Sequence, residues 1–188
     1  MRKIVGRMLI SRAYNIDFGN IMSGEMLQFN KYGKPSFIDK NNDFFTISHS
    51  GDIVVMSKSK VPVGIDIEKK RELNINFIRK AFTSAEYENI LNAHNMSDRA
   101  LDIWTQKESF LKLLGTGLAI QPRNVETKYN FAVEQSCLEI NKEGLEENRG
   151  YIYEIGEIED YICHLAVNET KDNVCINVRP VENLISVI

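Results

Sequence analysis

The segment Val63-Gly64-Ile65-Asp66-Ile67-Glu68 alternates apolar and polar residues. Such a pattern is put to use by a β-strand, which sends Ile65 and Ile67 to one face and Asp66 and Glu68 to the other. The chain is therefore expected to contain a sheet with an apolar side and, at this strand, an acidic one. Two carboxylates so close on one face repel each other unless a cation lies between them. Hard oxygen ligands suit Mg²⁺, which shares its coordination shell with substrate phosphates and water. The same pair also fits a solvent-facing strand end, because Lys69 and Lys70 follow directly.

Other elements can be placed around that strand. Ile4, Val5, Met8 and Leu9 recur at helical spacing, so a helix is expected over 3–14. A short strand is expected at Met26 to Phe29 and a turn at Tyr32-Gly33-Lys34-Pro35. Phe44 to Ile47 and Ile53 to Ser57 form a hairpin around a turn at Ser48-His49-Ser50-Gly51-Asp52. Beyond Pro62, helices are expected over Ile75 to Phe82, from the capping box Thr83-Ser84-Ala85-Glu86 onward, and from Asp98 to Leu114, stopping at Gly115. Strands follow at 123–133, 137–141, 150–156, 161–168 and 173–179, with turns at Lys142-Glu143-Gly144 and Glu169 to Asp172. Helix, strands, helices and strands in that order indicate an α+β fold with two lobes, 1–62 and 63–188, joined near Pro62.

The totals narrow the function. The chain has 188 residues, enough for a real core, and its net charge of −3 is mixed along the sequence. That is unlike the basic field of a nucleic-acid binder. Cys137, Cys163 and Cys175 are odd in number and lack CxxC spacing, which points away from a disulfide framework or a zinc site. Cys163 and Cys175 are expected to be small buried hydrophobes. No secretory signal and no stretch of membrane-spanning length is evident, so a cytoplasmic protein without membrane association is expected.

Four further features can carry chemistry. Trp104, Glu108 and Lys112 are spaced to share one helix face. Trp104 is expected to anchor the helix in the core. Glu108 and Lys112 can form a surface pair, or the acid can hold a metal and the lysine a phosphate. His49, between Ser48 and Ser50, can offer hydrogen bonds to a phosphate, or the three can simply form a hairpin turn. Glu86 can close its capping box, take a proton, or join a metal site. Lys34 is presented on a Gly-Lys-Pro turn.

In order, Gly33-Lys34-Pro35, Phe45 to Ser50, Gly64 to Glu68, Phe82 to Glu86, Trp104 to Lys112 and Gly115-Thr116-Gly117-Leu118 resemble the 4′-phosphopantetheinyl transferases, in particular the surfactin-synthetase-activating (Sfp-type) group. The specific motifs cover roughly residues 1 to 120. The resemblance implies two similar α/β lobes related by a pseudo-twofold, with coenzyme A in the cleft between them. It implies Mg²⁺ or Mn²⁺ held by Asp66, Glu68 and Glu108, and Lys112 and His49 on coenzyme A phosphates. Lys34 and Ser48 would line the nucleotide site, and Glu86 would be the base for the carrier serine. Arg2, in an Arg-x-x-x-Gly pattern ending at Gly6, matches an arginine that contacts coenzyme A. Relatives carry a strand and a basic helical segment before that position, so a shortened first lobe is expected here.

The implied reaction transfers 4′-phosphopantetheine from coenzyme A to a serine of an apo acyl- or peptidyl-carrier protein, with a monomer sufficient. Lys69, Lys70, Arg71, Arg79 and Lys80 are candidates for docking an acidic carrier. Another magnesium-dependent phosphoryl or pyrophosphate hydrolase, or an inactive coenzyme A- or carrier-binding module, would fit parts of the same pattern.

Overall fold

The strand expected at 63–68 is the edge of a five-stranded antiparallel sheet. A computed structural model describes residues 2–39, 43–130, 135–140, 149–156 and 158–181 of the chain. Its elements are α1 (Arg2–Tyr14), α2 (Phe18–Ser23), β1 (Leu27–Phe29), β2 (Pro35–Phe37), β3 (Phe44–Ser50), β4 (Ile53–Ser59), β5 (Val63–Lys69), α3 (Ile75–Ala81), α4 (Ser84–Leu91), α5 (Met96–Leu114), β6 (Val125–Asn130), β7 (Gln135–Ile140), β8 (Arg149–Glu154) and β9 (Tyr161–Val167). The large sheet runs β5-β9-β8-β7-β6, and β1-β2 and β3-β4 are separate antiparallel pairs. The mixed α and β composition agrees with the α+β class expected from the sequence. Among the described residues, no helix is long and apolar enough to cross a membrane.

The alternation in β5 does the work expected of it. Val63, Ile65 and Ile67 pack with Cys163, Leu165, Val167 and Ile155 on one side of the sheet. On the other side α5 lays Phe110, Leu111 and Leu113 against Val125, Leu138, Ile152 and Ala166. Asp66, His164 and Glu154 are register partners across β5, β9 and β8, so they share the α5 side.

Gly64 sets how closely α5 approaches. A Cβ there would overlap the carbonyl oxygen of Ser109 and the amide of Leu113, so only glycine lets helix and strand backbones touch. Asn95 caps the start of α5 by accepting from the Asp98 amide, and Gly115 ends it in a left-handed conformation at φ 69°. The part before Pro62 has its own small core of Ile10, Tyr14, Ile21, Leu27, Phe37 and Phe45.

Three expectations are corrected. Ser48, His49 and Ser50 belong to β3 rather than to a turn; register pairs Ser50 with Ile53, and the turn is only Gly51-Asp52, with Gly51 at φ 52°. The stretch 173–179 is not a strand: one 3₁₀ turn spans Lys171–Asn173 and irregular chain follows. Both neighbours of β9 are already taken by β5 and β8, so that apolar alternation meets no open edge there; Val174 packs on the β5 core instead. Cys175 is consequently exposed, while Cys137 and Cys163 are buried. The turn expected at 142–144 and the end of the strand expected at 123–133 lie outside the described residues.

Candidate functional site

The site forms where β3 meets the edge of β5. From Thr46 onward every second residue of β3 carries a hydroxyl, and each hydroxyl accepts from a β5 amide. Thr46 Oγ1 takes Ile65 N at 2.9 Å, Ser48 Oγ takes Ile67 N at 3.4 Å and Ser50 Oγ takes Lys69 N at 3.0 Å. Three side chains thus satisfy amides that a neighbouring strand's carbonyls would otherwise serve.

The same hydroxyls reach the acids. Ser48 Oγ donates to Asp66 Oδ1 at 2.7 Å, and Ser50 Oγ donates to Glu68 Oε2 at 2.9 Å. Lys112, carried in by α5, donates to Asp66 Oδ1 at 2.6 Å and to Ser48 Oγ at 2.8 Å. Arg71 donates to Glu68 Oε2 at 2.7 Å. Asp66 is only 5% exposed, and its second oxygen, Oδ2, has no hydrogen-bond partner; nor does the buried Glu108 Oε1.

The electrostatics follow from that crowding. Burial first, then the charge of Asp66, push the Glu108 carboxyl up to about 7; Lys112 opposes this and Glu68 adds to it. Asp66 is also raised, because burial outweighs the opposing effects of Lys112 and Ser48. One ammonium at 2.6 Å would ordinarily hold a carboxyl low, but here burial outweighs it and the charge of Glu68 adds to the upward shift.

As the side chains stand, no group of three or more His, Cys, Asp or Glu among the described residues encloses an ion. Asp66 and Glu108 turn unpartnered oxygens into the protein, while Glu68 is engaged by Ser50 and Arg71. Orphaned carboxylate oxygens that cost free energy to bury, in an all-oxygen set, fit a hard divalent cation.

The remaining candidates are dispersed. His49 is exposed, on the β3 face opposite Ser48 and Ser50, so Ser48 and His49 do not converge on one point. Arg2 donates to the Gly51 carbonyl at 2.9 Å, at the hairpin end beside His49. Lys34 is spent on structure: its Nζ donates to the carbonyls of Lys112 at 2.6 Å and Leu113 at 3.0 Å, capping α5. Burial pulls its ammonium down to about 8. Glu86 closes the expected capping box, accepting from Thr83 N at 2.9 Å. Trp104 packs against Phe77 and Phe82, the anchoring role expected of it.

Two arrangements escaped sequence reasoning. Lys107 is fully buried and donates to Glu86 Oε2 at 2.5 Å and to the Pro122 carbonyl at 2.9 Å. Helical spacing gave no sign of it, because attention to the face of Trp104, Glu108 and Lys112 passes over the residue between. His164, 3% exposed, pairs Nδ1 with Thr105 Oγ1 at 2.7 Å and sets Nε2 3.4 Å from Asp102 Oδ1. Burial lowers its basicity, which Asp102 partly restores.

The family model of the 4′-phosphopantetheinyl transferase superfamily matches residues 62–166, the stretch that holds Asp66, Glu68, Glu86, Glu108 and Lys112. The chain belongs to that superfamily. It is 34% identical over 119 residues to the 4′-phosphopantetheinyl transferase Sfp of Bacillus subtilis, covering 62% of this chain and 51% of that protein. It is 38% identical over 122 residues to the 4′-phosphopantetheinyl transferase gsp of Aneurinibacillus migulanus, covering 63% and 50%. It is 28% identical over 183 residues to the mouse L-aminoadipate-semialdehyde dehydrogenase-phosphopantetheinyl transferase, covering 85% and 57%. The chain spans about half the length of the curated relatives it matches. These likenesses support the Sfp-type group that the motif order pointed to.

Proposed function

We propose that the protein transfers 4′-phosphopantetheine from coenzyme A to a serine of an apo acyl- or peptidyl-carrier protein, releasing 3′,5′-ADP. The observation that carries this reading is the pair of buried, unpartnered oxygens, Asp66 Oδ2 and Glu108 Oε1, beside the Lys112 ammonium. Asp66 and Glu108, with Glu68 once it is released from Arg71, would hold Mg²⁺ or Mn²⁺. When bound, such an ion neutralises a pyrophosphate and stabilises the departing phosphate.

The chain's own residues supply the rest. Lys112 places a positive charge where negative charge grows on the bridging oxygen, a contact that strengthens in the transition state. Glu86 acts as base toward the carrier serine, directly or through a water. Its Oε2 is fixed by Lys107 and the helix cap, which leaves Oε1, 3.4 Å from the Thr127 hydroxyl, to receive the proton. Arg2 and His49, at the hairpin end of β3, supply positive charge and a hydrogen-bond donor to the nucleotide phosphates. Lys69 at the end of β5, Lys70 just after it, and Arg79 and Lys80 in the last turn of α3 face an acidic carrier. A monomer working in the cytoplasm, away from membrane and nucleic acid, completes the reading.

The test is incubation with coenzyme A, Mg²⁺ and an apo carrier protein, read by intact mass. The carrier should gain one phosphopantetheine, and chelation of the metal should abolish the gain. A carrier of unchanged mass while coenzyme A is cleaved would replace transfer by hydrolysis; coenzyme A bound but intact would make the protein a binding module.

A further inference from the structure

Lys112 sits where the proposed cation would be served. Its Nζ is 2.6 Å from Asp66 Oδ1 and 2.8 Å from Ser48 Oγ, on the carboxylate assigned above to the ion. Glu108, one helical turn earlier, contributes to the same pocket with an unpartnered oxygen. A divalent ion taken up by Asp66 Oδ2 would stand a few ångströms from a full positive charge, and like charges at that range repel strongly in a partly buried site. Asp66 would not be left bare if Lys112 withdrew, because Ser48 Oγ still donates to Oδ1. Lys112 has room to withdraw, since its side chain is 26% exposed while that of Asp66 is 7% exposed.

We propose that Lys112 is an internal counter-ion that competes with the divalent cation for Asp66, and that a pyrophosphate-bearing ligand relieves the competition by drawing the ammonium off the carboxylate. The inference rests on the reading that Asp66 and Glu108 hold a divalent ion. Cation and coenzyme A then bind with positive coupling, each favouring the arrangement the other needs. The cation alone binds weakly, so the site completes itself only around substrate. Neutralising Lys112 has opposite consequences for the two ligands: the ion gains and the pyrophosphate loses.

The measurement is Mn²⁺ binding to the metal-stripped protein without coenzyme A, followed by electron paramagnetic resonance, alongside calorimetric binding of coenzyme A in Mg²⁺. Lys112→Met should bind Mn²⁺ about tenfold more tightly than the unaltered protein, and coenzyme A more weakly. Lys112→Gln, which keeps a hydrogen-bond donor without the charge, should behave alike and serves if the Met variant does not fold. Lys112→Arg should bind Mn²⁺ as the unaltered protein does. Mn²⁺ affinity that is unchanged or reduced in the neutral variants overturns the counter-ion role. An Asp66→Asn control separates the two levels. If it binds Mn²⁺ as well as the unaltered protein, Asp66 is no ligand and both the metal site and the counter-ion fall. If it loses Mn²⁺ while the neutral variants gain nothing, the metal site stands and only the counter-ion falls.

Discussion

The two sides of β5 use one strand in opposite ways. Toward β9's apolar face, Val63, Ile65 and Ile67 are buried among other hydrocarbon side chains and settle the register. Toward α5 and β3, Gly64, Asp66 and Glu68 give up packing for close approach and charge: the glycine admits the helix backbone, and the acids meet Lys112 and the serine hydroxyls. One face stabilises the fold, and the other places carboxylates in surroundings that penalise them. A strand can carry strained chemistry on one side when its other side holds it rigidly.

The largest effect that would break this comparison is on activity. Asp66→Ala, Glu68→Ala and Glu108→Ala should each lower transfer at least about a hundredfold. The Glu108 variant should melt no lower than the parent, because it removes a buried oxygen without a partner, whereas the Asp66 variant also strips Lys112 and Ser48 of their acceptor and should melt lower. Near-normal transfer in all three, by the intact-mass assay, would separate the acids from the chemistry.

Next in size, Gly64→Ala should destabilise by about 3 kcal/mol in chemical denaturation, since its Cβ runs into α5 backbone that cannot move alone. A smaller loss would mean that the helix can lift off the strand. Ser50→Ala should cost about 1 kcal/mol, and it leaves Glu68 held by Arg71 alone. Its coenzyme A-dependent rate should fall only a few-fold. A loss as large as that of Glu68→Ala would promote the hydroxyl to an equal partner of the acid.

The smallest effect concerns Lys34, whose folded-state pKa of about 8 lies below the ordinary 10.5. The folded protein therefore binds fewer protons than the unfolded chain between those values, and stability rises with pH through that window. Lys34→Met should remove this slope from denaturation curves taken across the same range, while costing some stability at neutral pH through the uncapped α5 carbonyls.

Much of the architecture was legible because periodicity reports local burial. The alternation at 63–68, the capping box at Thr83 to Glu86 and the glycine stop at Gly115 are written in adjacent residues and reappear in the structure. The alternation at 173–179 shows the limit: a strand needs a free edge, and sequence does not say that β9 is already paired on both sides. The site was legible as a set of residue types in order. The partners of those residues were not. Lys34 looks like a ligand-facing cation on its turn, yet two backbone carbonyls at the end of α5 and one at the start of β5 claim it. Ser48 and His49 are neighbours in the chain and point to opposite sides of β3. The hydroxyls at Thr46, Ser48 and Ser50 did leave a trace, a small polar residue at every second position of an otherwise strand-like run.

The rungs joining β3 to β5 are side chains, so any one of them can be exchanged while both backbones keep their own pairings. Replacing a hydroxyl with a methyl or an amide would alter how far apart the two strands stand without unravelling either. The spacing of β3 and β5 thus rests on three side chains, two of which also hold Asp66 and Glu68, so strand separation and the placing of the acids change together.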